Sequence, residues 1–161
     1  MSLTIKKKLE DGAGRLCKVL LPIKEEYHLG SGRAVAICTL ASFDLLETIS
    51  RSSLMDKVLI AGRLLSENKG IDLMIKFTLN HPELKRIILS GKEVKGHRAG
   101  QALLALSHNG VDLAGRIIGA IGPDPRLTLC GREVEIFRRQ VQIIDLRETV
   151  DIKKIAQALI A

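Results

Sequence analysis

The sequence predicts an α/β fold: a doubly wound, mainly parallel five-stranded sheet of Rossmann-like, three-layer type. Three observations carry this. There are five short apolar runs rich in β-branched residues, each is followed by a helical pattern, and the connections are long enough to return the chain over a sheet to a parallel neighbour. With 161 residues, 46% of them hydrophobic, the chain can bury a real core within the size of one domain.

Residues 1–32 read as a leader segment. It is lysine-rich at Lys6, Lys7 and Lys8, mixed apolar over 19–23, and ends on a Gly30-Ser31-Gly32 hinge. The domain proper is read over residues 33–161. Its first strand is expected over 34–40, a continuous apolar run, with a helix over 43–50. The second strand (57–62) leads through Ser66, Glu67 and Asn68 into a helix over 71–80, with Ser66 or Asn68 placed to cap it. A third strand (86–90) precedes a helix over 97–108 whose Leu103, Leu104 and Leu106 form a core stripe. The fourth and fifth strands are expected over 116–122 and 141–146, with helices over 133–140 and 152–160, so strand and helix alternate throughout.

Composition narrows the function. No apolar run approaches the roughly 18 residues of a spanning helix, and the basic start lacks the apolar core of a signal peptide, so the chain reads as cytoplasmic with no membrane span. Cys17, Cys38 and Cys130 are odd in number and widely spaced, which predicts reduced thiols rather than a disulfide framework. The net charge of +7 accompanies only 2% aromatic residues, leaving little for base stacking. A solvated surface or an acidic protein partner accounts for the charge better than nucleic acid.

In doubly wound sheets ligands sit beyond the carboxyl ends of the strands. That directs attention to Thr39, Leu40 and Ser42, to Glu67 and Asn68, to the Gly91-Lys-Glu-Val-Lys-Gly-His-Arg-Ala-Gly segment, and to Gly122. His97 is its chemical centre. A position at a helix start favours the neutral imidazole, whose lone pair can serve a metal or a proton. Gly91 and Gly96 strip side chains from the approach, which suits a large flat cofactor or a phosphate. Glu93 is placed to accept the second ring hydrogen, and Gln101, one turn on, to bond a ligand amide or phosphate.

His108 lies about 16 Å further along the same helix, and no carboxylate or thiolate stands at zinc-ligand spacing with His97. A metal carried by its own macrocycle, needing one axial protein ligand, therefore fits better than a protein-built cage. A lone histidine near a helix start is also an ordinary cap, and the residues alone leave the two readings even. The alternative from another class is a nucleotide- or phosphate-binding regulatory module, although neither Gly-x-Gly-x-x-Gly nor Gly-x-x-x-x-Gly-Lys-Ser/Thr occurs.

The segment from Gly91 to Gln101 resembles the cofactor segment of the A subunit of tetrahydromethanopterin S-methyltransferase. The likeness continues through Val35-Ala-Ile-Cys-Thr-Leu-Ala-Ser, Leu65-Ser-Glu-Asn-Lys-Gly-Ile-Asp, Asn109-Gly-Val-Asp, Arg116-Ile-Ile-Gly-Ala and Phe137-Arg-Arg-Gln-Val. It implies a cobamide, a cobalamin-type corrinoid, with His97 as lower axial ligand to cobalt. It implies also a methyl carrier that takes a methyl group from methyl-tetrahydromethanopterin and passes it to coenzyme M, working with partner methyltransferase proteins. The family's C-terminal membrane helix has no counterpart before Ala161, which implies a soluble form. Other cobalamin-binding domains resemble the His97-Arg-Ala-Gly100 half of this segment but carry Asp where Lys95 stands. A lysine cannot accept the imidazole hydrogen, so Glu93, a backbone carbonyl or water is left for that role.

Overall fold

Four consecutive buried residues, Val35–Cys38, form the middle strand of the sheet in the computed structural model, which describes residues 27–160. In chain order the elements are β1 (Tyr27–Leu29), β2 (Val35–Cys38), α1 (Phe43–Ser50), a short 3-10 turn (Ser53–Asp56), β3 (Ile60–Gly62), α2 (Lys69–Leu79), β4 (Arg86–Gly91), α3 (Ala99–Asn109), α4 (Gly131–Gln140), β5 (Gln142–Arg147) and α5 (Ile152–Ile160). The spatial order is β1-β3-β2-β4-β5. Only β1 runs antiparallel to its neighbour, so the expected α/β class with a mainly parallel five-stranded sheet is what the chain forms.

Alternation along β2 explains the three layers. Val35 and Ile37 pack with Leu45, Leu46 and Ile49 of α1 and with Ile155 and Leu159 of α5. Ala36 and Cys38 turn to the other face, against Ile71 and Ile75 of α2, Leu103 and Leu106 of α3, and Val134 and Phe137 of α4. A strand covered on both faces must be apolar throughout, as this one is.

The chain leaves β2 towards β3, crosses back past β2 to β4, and continues to β5. Crossovers of one hand running in opposite directions place their helices on opposite faces. The direction reverses between β2 and β4, so a crevice opens beyond the carboxyl ends of these two strands.

Three expectations are corrected. Residues 116–122 are not a strand: Gly115 (φ +77°) and Gly119 (φ +84°) bend the segment, Ile117 is buried while Ile118 is exposed, and only isolated bridges, Val111 with Ile117 and Arg116 with Arg126, organise it. Strand and helix therefore do not alternate between α3 and α4. The fifth strand is instead β1, from the stretch read as leader, and two of its three residues are exposed. Gly30-Ser31-Gly32 is no hinge, because its three amides bond Leu59, Met55 and Val58 carbonyls and a Cβ on Gly30 would lie 2.2 Å from the Val58 oxygen. The lysine-rich start and Cys17 lie outside the described residues.

Candidate functional site

α3 begins at Ala99 rather than at His97. Arg98 takes a left-handed conformation (φ +54°), which an L-residue adopts only at a cost, and so stops the helix from extending back to His97. His97 is thus the last turn residue before the cap. The free N–H groups of Gly100 and Gln101 in the first turn are taken by the Glu93 carboxylate, at 2.9 and 2.8 Å. Glu93 also accepts from Val94 N–H. It caps α3 and does not serve the imidazole, contrary to the sequence expectation.

The imidazole partner is Glu67, in the loop after β3. Its Oε2 lies 2.8 Å from His97 Nδ1 and its Oε1 accepts the Asp124 N–H at 3.0 Å. Glu67 is 1% exposed. Burial works against its charge, but hydrogen bonds from Asp124 and His97 outweigh it and hold the carboxyl below the ordinary glutamate range. An ionised carboxylate only accepts hydrogen bonds, so Nδ1 carries the hydrogen. Nε2 then makes no hydrogen bond within the described residues, on a side chain that is 54% exposed.

Around this pair the other candidates take different parts. Gly96 (φ +84°) is open, since a Cβ there would meet nothing within 4 Å. Gly122 is the opposite case: a Cβ would lie 2.4 Å from the His97 carbonyl oxygen and 3.1 Å from Glu67 Cγ. Gly91 (φ +78°) fits only as glycine, because a Cβ would stand 2.2 Å from the Thr39 carbonyl oxygen. Thr39 and Leu40, directly after β2, are fully buried. Ser42 Oγ accepts the Lys92 N–H and ties the two strand-end loops together. Asn68 caps α2 through Lys69 N–H and donates to the Asp124 carbonyl, at 2.6 and 3.1 Å. The Gln101 side chain bonds backbone, Nε2 donating to Gly119 O and Oε1 accepting from Ile121 N–H.

The three non-glycine residues with positive φ among the described residues, Leu40, Arg98 and Glu148, follow β2, β4 and β5. Backbone strain is therefore gathered at the carboxyl edge of the sheet, where binding sites tolerate it. A polar cavity of about 350 Å³ also lies there, lined by Glu93, Arg98, Gln101, Asp145, Arg147 and Glu148. Cys38, the last residue of β2, is no nucleophile, because burial pushes its thiol up to about 12. Among the described residues no group of three or more His, Cys, Asp and Glu is placed to hold a metal ion, and no helix is long and apolar enough to cross a membrane.

Residues 18–160 match the family described as the A subunit of tetrahydromethanopterin S-methyltransferase. The chain belongs to this family. It is 38% identical over 140 residues to the tetrahydromethanopterin S-methyltransferase A subunit of Methanocaldococcus jannaschii, covering 85% of this chain and 56% of that protein. The similarity to the A 2 subunit of the Methanothermobacter thermautotrophicus enzyme is 39% over 134 residues, 81% of this chain and 70% of the relative. With the Methanococcus maripaludis A subunit it is 35% over 137 residues, 83% and 56%. The chain thus spans little more than half the length of several A-subunit relatives that it matches. The matched region contains every residue of the pair and its surroundings, from Thr39 to Asp124. Sequence reasoning places Glu67 in the cradle but not against His97. The only signal is its position in a strand-end loop, because a partner thirty residues away leaves no spacing to recognise.

Proposed function

We propose that this A-subunit homologue is a corrinoid-binding methyl carrier. The observation that carries the reading is His97: one exposed imidazole, its Nδ1 fastened to a buried carboxylate and its Nε2 without a partner among the described residues. This is the donor arrangement an axial histidine needs, with the second nitrogen held so that the ring neither rotates nor changes tautomer. A single donor suits a metal that brings its other ligands in a macrocycle. The open backbone at Gly96 gives a flat group room to approach.

In this reading His97 Nε2 would ligate the metal, Glu67 would orient the ring, and the loops bearing Thr39, Leu40, Ser42, Asn68, Gly91, Gly96 and Gly122 would form the cradle. Bound there, a cobamide would supply a cobalt centre able to take a methyl group from methyl-tetrahydromethanopterin, or another donor, and yield it to coenzyme M or another thiol. The chain's own residues bind and orient. Partner methyltransferase proteins in the cytoplasm would bring the donor and the acceptor. Against a phosphate-binding module stands Glu93, whose carboxylate already occupies the N-terminus of α3, the natural anion site of this loop.

The test is reconstitution with cobalamin. The purified protein should retain the corrinoid through gel filtration and shift its visible spectrum to that of a histidine-ligated form, and His97→Ala should abolish the shift. Failure of the wild-type protein to retain cobalamin would remove the reading.

A further inference from the structure

Residues 119–124 form a strap across the Glu67–His97 pair. At one end the Gln101 side-chain amide grips it twice, Nε2 donating to Gly119 O at 2.9 Å and Oε1 accepting from Ile121 N–H at 3.1 Å. At the other end Asp124 N–H donates to Glu67 Oε1, and Asn68 Nδ2 donates to the Asp124 carbonyl. Between the two anchors Gly122 is buried against the His97 carbonyl and the Glu67 side chain, so closely that only glycine fits.

We infer that Gln101 is a positioning residue for His97, acting through this strap. A primary amide carries a donor nitrogen and an acceptor oxygen side by side, and Gln101 uses one of each, on the Gly119 carbonyl and the Ile121 N–H. The strap it fixes meets both members of the pair. Held down, the strap leaves Glu67 1% exposed, so that no water competes with His97 Nδ1 for Oε2. Released, it admits water to the carboxylate, and the ring relaxes toward the Nε2–H tautomer that imidazole prefers in water. That tautomer has no lone pair on Nε2. Gln101 thus governs whether His97 presents a ligating nitrogen. The inference rests on the reading of His97 as a ligand, but its test needs no corrinoid.

The experiment is long-range ¹H–¹⁵N correlation of the histidine rings in the full ¹⁵N-labelled chain, at a pH where the imidazoles are neutral, for wild type, Gln101→Leu and Gln101→Glu. Wild type should show His97 with a protonated Nδ1 and an unprotonated Nε2. In Gln101→Leu both ring nitrogens should move toward averaged positions, and Ile121 amide exchange should quicken about tenfold, as loss of an average hydrogen bond predicts. Gln101→Glu, which keeps the acceptor for Ile121 N–H and loses the donor to Gly119, should fall between. Should Gln101→Leu fail to fold, Gln101→Glu decides. Faster Ile121 exchange with an unchanged His97 tautomer would overturn the inference, as would a wild-type His97 protonated on Nε2. Cobalamin retention by the wild type is measured separately, and its failure would sink the carrier reading while leaving the tautomer result to stand.

Discussion

Glu67 Oε2 and His97 Nδ1 stand 2.8 Å apart although thirty residues separate them in sequence. Glu67 follows β3 and His97 follows β4, so the bond reaches across the end of β2, which lies between these strands. The carboxylate is buried and uses its two oxygens for two different donors, His97 and Asp124. Glu67→Gln keeps the shape but not the charge: with its oxygen on the Asp124 N–H, its amide can pair with His97 Nδ1 only in the Nε2–H tautomer, and two charge-assisted hydrogen bonds are lost. A stability loss of about 1–3 kcal/mol in urea unfolding is expected, and cobalamin affinity should fall by roughly 10–100-fold.

The two glycines flanking the loop before α3 should respond differently to alanine. At Gly96 only the positive φ opposes a side chain, so Gly96→Ala should fold and lose about 1–2 kcal/mol. At Gly91 the same strain is joined by a clash with the Thr39 carbonyl at 2.2 Å. Gly91→Ala should therefore lose clearly more in the same denaturation series.

The irregular segment between α3 and α4 hangs on Asp72 of α2, which is 5% exposed and accepts hydrogen bonds from Thr128 N–H, Thr128 Oγ1 and Leu129 N–H. Asp72→Ala orphans these donors. It should cost roughly 3 kcal/mol and open residues 110–130 to limited proteolysis before the sheet is cut.

Thiol labelling separates the cysteines. Cys130 is exposed, whereas Cys38 is buried and its thiol stands near 12. In a Cys17→Ser background, iodoacetamide at pH 8 should modify Cys130 in the native protein, and Cys38 only after unfolding. Native labelling of Cys38 would contradict the core packing beneath β2.

On β5, the side-chain hydrogen bonds from Arg147 outweigh burial and hold the Asp145 carboxyl below the ordinary aspartate range. A carboxyl lowered in the folded state contributes stability that is fully present above its unfolded value and lost as pH falls through its folded value. The pair is partly solvated, so the contribution is small. A carboxyl ¹³C titration should give Asp145 a midpoint below that of a free peptide, and Arg147→Ala should move it upward.

Much of the fold is legible locally. Unbroken apolar runs at β2 and β4 announce strands covered on both faces, and the 3.6-residue stripe of α3 falls on residues that do line the core. The segment 116–122 misleads because Arg-Ile-Ile-Gly-Ala-Ile-Gly has strand composition, while its path is set by two glycines with positive φ and by side chains of α2 and α3. β1 escapes notice because three residues, two of them exposed, carry too little pattern. Within the site, Glu93 is the natural partner for His97 by proximity in sequence. Its carboxylate instead turns to the first-turn amides that Arg98 leaves facing it.

Periodicity and residue type, which act over a few neighbours, are enough to specify the α/β class, the two apolar faces of the sheet and the strand-end loops that carry the candidate residues, and ordered local motifs are enough for the family. Strand order, the recruitment of β1, the strap over residues 119–124 and the pairing of Glu67 with His97 arise only when the chain is packed. Each of these joins residues far apart in the chain, and the sheet must place β3 and β4 on either side of β2 before a buried carboxylate after one can meet an imidazole after the other.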